Sequence, residues 1–171
     1  LFFDQRLSAD AKVSCATCHQ PAREFSDGAP VSKGSHGKIG TRNAPGLTAR
    51  ETGDPLFWDG RRATLESQVL DPFFNPAEHG LRGADDLVRK IHDVGGYQQP
   101  FASAFPDSAR PITAENIAAA LTVFVSSLPT NKSRVERYLA GDQHALTDLE
   151  KEGMTLFRGR AQCAQCHLVT N

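Results

Sequence analysis

Ser14-Cys15-Ala16-Thr17-Cys18-His19, near the start of the chain, and Cys163-Ala164-Gln165-Cys166-His167, near its end, decide how the rest is read. The chain has four cysteines, and these two runs use all of them. Cysteines three positions apart suit a disulfide framework, a thioredoxin-like redox pair or half of a tetrahedral zinc site. A chain of 171 residues does not need disulfides to hold a core, and pairs this local make a poor scaffold. Both pairs are followed at once by His, although only six His occur in the whole sequence. Cys-x-x-Cys-His is the attachment signature of c-type haem: each thiol adds to a vinyl group, and the His lies under the iron. One such run could be chance. Two that consume every cysteine point to two covalently bound haem c groups, with zinc as the main rival. Cys15, Cys18, Cys163 and Cys166 are then the attachment residues, and His19 and His167 the proximal iron ligands.

The two runs lie far apart, which suits one haem per domain better than a compact multihaem carrier. Gly141-Asp142-Gln143-His144 interrupts two helical patterns, so a boundary is expected there. A first haem domain then covers 1–140, and 141–171 is the start of a second. Leu1 is not an initiator Met, and little chain follows His167 to cover a haem, so the sequence reads as part of a longer parent.

Between the runs the pattern is all-α with long haem-wrapping loops. Leu1-Phe2-Phe3 and Leu7 suit a short amphipathic helix leading into Cys15. Residues 20–62 are rich in Gly and Pro and show no sustained period, as expected of a long ordered loop. Ala84–Val94 carries Leu87, Val88 and Ile91 on one face and stops at Gly95-Gly96. Thr113 is a candidate cap for a helix over 114–128 with Ile117, Leu121, Phe124 and Leu128 at helical spacing. A short helix is expected over 133–139, and Thr147-Asp148-Leu149-Glu150 reads as a capping box for a helix through Phe157. Met154, the only Met, falls on that helix as a packing residue.

Charge narrows the partners. Nineteen basic residues balance twenty acidic ones for a net −1, which argues against nucleic acid. No stretch approaches the ~20 apolar residues that span a bilayer.

Several further runs occur in a telling order. They are Leu1-Phe2-Phe3-Asp4 with Arg6-Leu7-Ser8, Gly40-Thr41-Arg42-Asn43-Ala44-Pro45, Phe57-Trp58-Asp59-Gly60-Arg61 and Asn75-Pro76-Ala77-Glu78. Arg137-Tyr138-Leu139-Ala140-Gly141 and Gly153-x-x-Leu156-Phe157 complete the set. Together with the first attachment run, this order resembles the bacterial di-haem cytochrome c peroxidases over nearly the whole chain. The same superfamily includes the methylamine-utilisation di-haem enzymes, which oxidise tryptophan residues of a partner protein.

The resemblance implies two cytochrome-c-like helical domains, the second only partly present here. The first holds the peroxide-reacting haem on His19, and the second holds the electron-entry haem on His167. It implies a periplasmic enzyme that reduces hydrogen peroxide with electrons from a small cytochrome c or copper protein, and it leaves open whether the parent is a homodimer. Glu78 corresponds to the acid/base residue: peroxide must lose a proton on binding and regain it on the departing oxygen. Gln68 matches a position lining the same pocket. Trp58, the only Trp, matches a residue between the haems that carries electrons. Asn43 matches a residue that helps bind a calcium ion between the domains. Without the resemblance these four would be a surface acid, an exposed helix residue, core packing and a turn residue.

His36 corresponds to the distal His that many family members must release before peroxide binds. An ungapped alignment from Arg42-Asn43 puts Ser35 there instead, so both a His36-ligated and a His-free distal side stay open. His79 stands where the family often has Met, and His92 and His144 look ordinary. The resemblance places the second haem's distal ligand beyond Asn171: Met favours the peroxidase, and Tyr a related oxidising enzyme that uses high-valent iron on a protein or small-molecule substrate. A non-enzymatic di-haem electron carrier is the third reading.

Overall fold

The computed structural model describes residues 1–48, 55–128 and 133–167. The first unit contains α1 (Cys15–Cys18), α2 (Leu65–Gln68), α3 (Asp71–Phe74), α4 (Ala84–Val94), α5 (Gln98–Ala104) and α6 (Ala114–Ser126). No strand occurs among the described residues; only isolated bridges pair Gln20 with Ser26, Lys33 with Ile39 and Leu56 with Arg62. The chain is therefore all-α, as its patterning predicts.

α4 and α6 form where the sequence places them. Gly95 ends α4 at a positive φ of 73°, which glycine adopts without a steric penalty. Thr113 caps α6 by accepting the Asn116 N–H at 3.2 Å. Leu87 and Ile91 of α4 and Ile117 of α6 are wholly buried, in one core with Leu121, Val125, Phe73 and Phe101. Burial of each such side chain stabilises the fold by about 1.5–3 kcal/mol.

The amphipathic helix expected over Leu1–Leu7 does not form; only a 3-10 turn, Gln5–Leu7, is present. Asp4 stops it from spreading. Its carboxylate accepts the Arg6 N–H at 3.0 Å, the Arg6 guanidinium at 2.7 Å and the Tyr97 hydroxyl at 2.7 Å. Buried Ser8 then takes the Val13 N–H at 3.1 Å on its hydroxyl, turning the chain toward Cys15. The apolar residues still reach the core: Phe2 and Leu7 are buried, and the Phe2 ring packs 4.7 Å from that of Phe124 on α6.

The described part of 20–62 is a loop of 3-10 turns and bridges; residues 49–54 lie outside the described residues. Lys33 and Ile39 pair across the 3-10 turn Ser35–Gly37.

The second unit contains α7 (Arg134–Leu139), α8 (Asp148–Arg158) and the 3-10 turn Cys163–Gln165. Ser133 and Thr147 open the two helices with capping boxes closed by Glu136 and Glu150. Arg134 grips both oxygens of Glu150 at 2.6 Å and the Ala145 carbonyl at 2.8 Å. These contacts fasten α7 to α8, and by contact the chain divides into Leu1–Pro129 and Thr130–Asn171. No described helix is long and apolar enough to cross a membrane.

Candidate functional site

Each Cys-x-x-Cys-His run closes on itself by one shared hydrogen bond. The His19 N–H donates to the Cys15 carbonyl at 2.8 Å, and the His167 N–H to the Cys163 carbonyl at 2.9 Å. No disulfide joins any of the four cysteines, so they do not form a disulfide framework. Among the described residues, no group of three or more His, Cys, Asp or Glu converges as a metal cluster would require.

The first run is prepared for a haem. Cys15 and Cys18 are partly buried, and burial pushes the Cys15 thiol up to about 12. His19 Nδ1 lies 2.8 Å from the Phe25 carbonyl. A carbonyl can only accept, so Nδ1 carries the proton and the lone pair sits on Nε2, the nitrogen that would ligate a haem iron. Phe25 delivers that carbonyl from a left-handed backbone, φ 57°, with its N–H bound to Gln20 O at 2.9 Å. Its ring rests edge-on to Phe2, 6.2 Å away.

Beside this His opens a cavity of about 470 Å³ lined by Cys18, His19, Asn43, Trp58, Gln68 and Glu78, among others. The volume falls within the range of small-molecule and cofactor sites. Attachment thiols, an iron-ligating imidazole and an adjacent cavity together fit a haem c.

Folding gathers sequence-distant runs around the cavity. The Asp59 carboxylate binds Arg42 at 2.8 Å and Arg61 at 2.9 Å, and the two guanidiniums, Arg61 foremost, hold it down at about 2. The Trp58 Nε1–H donates to the Asn43 carbonyl at 2.9 Å, and Asn43 Nδ2 donates to Ala29 O at 2.5 Å. Trp58 is 63% exposed, so it is not core packing. Gln68 ends α2, half-buried at the cavity wall.

Glu78 is partly buried, and its Oε1 accepts the Asn75 Nδ2–H at 2.6 Å. Burial raises its pKa above the ordinary glutamate value. The Asn75 hydrogen bond and the Arg61 charge pull the other way, while the Asp71 charge adds to the rise. Such an environment favours the protonated carboxyl and suits a group that passes a proton back and forth.

His36 is not among the residues lining this cavity. It is exposed, at a φ of 56°, and its backbone N–H is held by Asp10 Oδ2 at 2.6 Å. Its neighbour Ser35 is the buried one: the Ser35 N–H binds Glu78 O at 2.8 Å, and the hydroxyl binds His79 O at 2.9 Å. Gly34 permits this docking, because a Cβ there would lie 2.1 Å from the Ala77 carbonyl oxygen. His79 is buried against Phe73, at a ring separation of 4.7 Å, and its Nδ1 has no partner among the described residues. His92 and His144 are exposed.

Three participants escape a reading of sequence: the Phe25 carbonyl, the Asn75 amide and the Gly34-Ser35 contact. Only Asn75 left a signal, its place three residues before Glu78.

The second run is more open. Cys166 and His167 are exposed, Cys163 is partly buried, and the His167 ring lies 6.4 Å from Phe157 of α8. Met154 is half-buried on the same helix.

A protein-family model for di-haem cytochrome c peroxidases matches residues 1–144. This chain belongs to the di-haem cytochrome c peroxidase family. Over 167 residues this family member is 38% identical to the methylamine utilization protein MauG of Methylorubrum extorquens, covering 98% of the chain and 47% of that protein. It is 36% identical to the cytochrome c peroxidase Ccp of Escherichia coli, covering 98% of the chain and 35% of the relative. Its fold matches the crystal structure of a MauG-like protein associated with microbial copper homeostasis, with a TM-score of 0.87 at 36% identity. That match covers 98% of the chain and 49% of the other. The diheme peroxidase BthA of Burkholderia thailandensis matches with a TM-score of 0.84 at 30% identity, over 99% of the chain and 47% of its own. The chain thus spans half or less of the length of these relatives.

Proposed function

We propose that this chain carries the peroxide-reacting half of a periplasmic di-haem peroxidase. Hydrogen peroxide takes up two electrons and two protons there and leaves as water. The observation that carries this reading is Glu78, half-buried, raised by burial and lining the same cavity as His19. A haem c held by Cys15, Cys18 and His19 supplies the redox chemistry of O–O cleavage. The chain's own residues manage the proton. As a carboxylate, Glu78 takes it from arriving peroxide, and as the acid it gives it back to the departing oxygen. Gln68 offers a second polar group at the cavity wall to orient peroxide.

Electrons come from a small cytochrome or copper protein at the His167 haem and pass by way of Trp58. The exposure of that indole supports the assignment, since it leaves a face open to a second redox centre. The Asn43 segment, tied to Trp58, is the candidate contributor to a calcium site. The His36 loop, anchored through Ser35 and Asp10, supports a first haem that reacts without prior reduction. A second reading, a related enzyme that oxidises a protein or small-molecule substrate, is favoured by the 38% identity to a methylamine utilization protein.

The test is peroxide-dependent oxidation of a reduced small cytochrome c by the haem-loaded, full-length protein. Glu78→Gln is expected to slow turnover by about 10²- to 10⁴-fold, the usual contribution of a positioned acid/base. Equal rates in the two proteins would remove Glu78 from the chemistry. A wild-type protein that consumes peroxide but oxidises only a protein substrate would favour the second reading.

A further inference from the structure

We infer that Asn75 is a positioning residue for Glu78: its side-chain amide holds one carboxylate oxygen and leaves the other to exchange the peroxide proton. The inference rests on the peroxidase reading of the Glu78 cavity.

Asn75 follows α3 and lines the same cavity as Glu78. Its backbone organises the turn, with the carbonyl accepting the N–H groups of Glu78 and Gly80, each at 3.0 Å. Its side chain then divides its two ends. Oδ1 accepts the Ala77 N–H at 2.9 Å, and Nδ2 donates to Glu78 Oε1 at 2.6 Å. A backbone N–H can only donate, so the first bond fixes which end of the amide faces Ala77. The end facing Glu78 is therefore the NH₂ group, a donor with no acceptor capacity.

A donor aimed at a half-buried carboxyl favours its ionised form. That is the form needed to take the first proton from peroxide. Among the described residues, Asn75 is the only hydrogen-bond donor to the Glu78 carboxylate. The other charges facing it act through space: Arg61 favours ionisation and Asp71 opposes it. Asp71 is itself paired with Arg62 at 2.7 Å. Cys15 and Cys18 also face Glu78, but as thioethers they carry no charge, and neighbouring His79 is held neutral by burial. Ser35 anchors the Glu78 carbonyl and the Asn75 carbonyl its N–H, while the Asn75 side chain holds the carboxylate.

The distinguishing variant is Asn75→Ser. A serine hydroxyl can still accept the Ala77 N–H and keep the turn, but it is too short to reach Glu78. Asn75→Ala removes both bonds. The readout is the infrared carboxyl C=O band titrated against pH in the haem-loaded, full-length protein. Glu78→Gln assigns the band, and the acid limb of peroxide turnover is measured alongside. Asn75→Ser should move the Glu78 midpoint up by about one pH unit and carry the acid limb with it. Turnover on that limb would then be about tenfold slower at fixed pH. An unmoved midpoint in Asn75→Ser, with lowered thermal stability only in Asn75→Ala, would make Asn75 a turn residue and overturn the inference. A moved midpoint in a protein whose parent turns over no peroxide would uphold the Asn75–Glu78 coupling and overturn the peroxidase reading instead.

Discussion

The two attachment runs share a sequence pattern and a backbone hydrogen bond, and almost nothing else. Around Cys15–His19 the imidazole is oriented by a carbonyl, the thiols are partly buried, and a cavity with a half-buried acid lies alongside. Around Cys163–His167 the described structure is a 3-10 turn after α8, with Cys166 and His167 exposed. The motif therefore specifies where a haem attaches, and the surrounding chain specifies what that haem can do. Chemistry beyond electron transfer needs a shielded space and a proton donor, and the first run has both beside it.

The contrast is broken most completely by removing one run at a time. Cys15→Ser with Cys18→Ser, and Cys163→Ser with Cys166→Ser, should each lower the bound haem from two to one by intact mass. The first pair should abolish peroxide reactivity, and the second should abolish turnover from an external donor while leaving a reactive first haem. Loss of both haems in either variant would show that the two sites do not assemble independently.

His79 offers a subtler separation, because it lies only on the first side. Burial pushes its pKa from 6.5 down to about 4, so the unfolded chain takes up this proton at a higher pH than the folded one. Its contribution to stability is complete above about 6.5 and is lost as pH falls toward 4, a change of about 3 kcal/mol. Glu78 slopes the other way, its raised pKa favouring the folded state at low pH and losing that contribution as pH rises through it. Denaturant unfolding of His79→Met against the parent isolates the first effect: the variant should lose much of the acid-side decline. An equal decline in both would place its cause elsewhere.

The smallest effects come from the caps. Thr113→Ala should cost about 1 kcal/mol in the first unit, where α6 is packed into the core. Thr147→Ala removes a hydroxyl bonded to the Glu150 N–H at 3.3 Å. Its cost should be similar in size but confined to α8, seen as faster hydrogen exchange there and not at α6.

Much of the fold was legible because helix signals are local. Gly95, Thr113, Ser133 and Thr147 mark boundaries by satisfying or breaking neighbouring backbone bonds, and α4, α6, α7 and α8 begin and end close to them. The segment Leu1–Leu7 misled because its apolar spacing suits a helix, while Asp4 is claimed by Arg6 and by distant Tyr97. α5 and the single turn α3 were not foreseen: one is seven residues long and the other four, too short to show a period. In the site, Glu78, Gln68, Trp58 and Asn43 were nameable by resemblance, and the structure brings all four to one cavity. It leaves His36 outside and puts Ser35 against Glu78, a choice that turns on one residue of loop register and on a glycine with no room for a side chain.

By itself, then, the sequence determined the covalent chemistry and the helical class, because Cys-x-x-Cys-His, caps and apolar periods act within a few residues of themselves. Which nitrogen of His19 bears the proton, which amide end faces Glu78 and how far burial raises that acid were decided only by the tertiary structure. Each depends on groups far apart along the chain or on water excluded by their packing, and no local pattern encodes either.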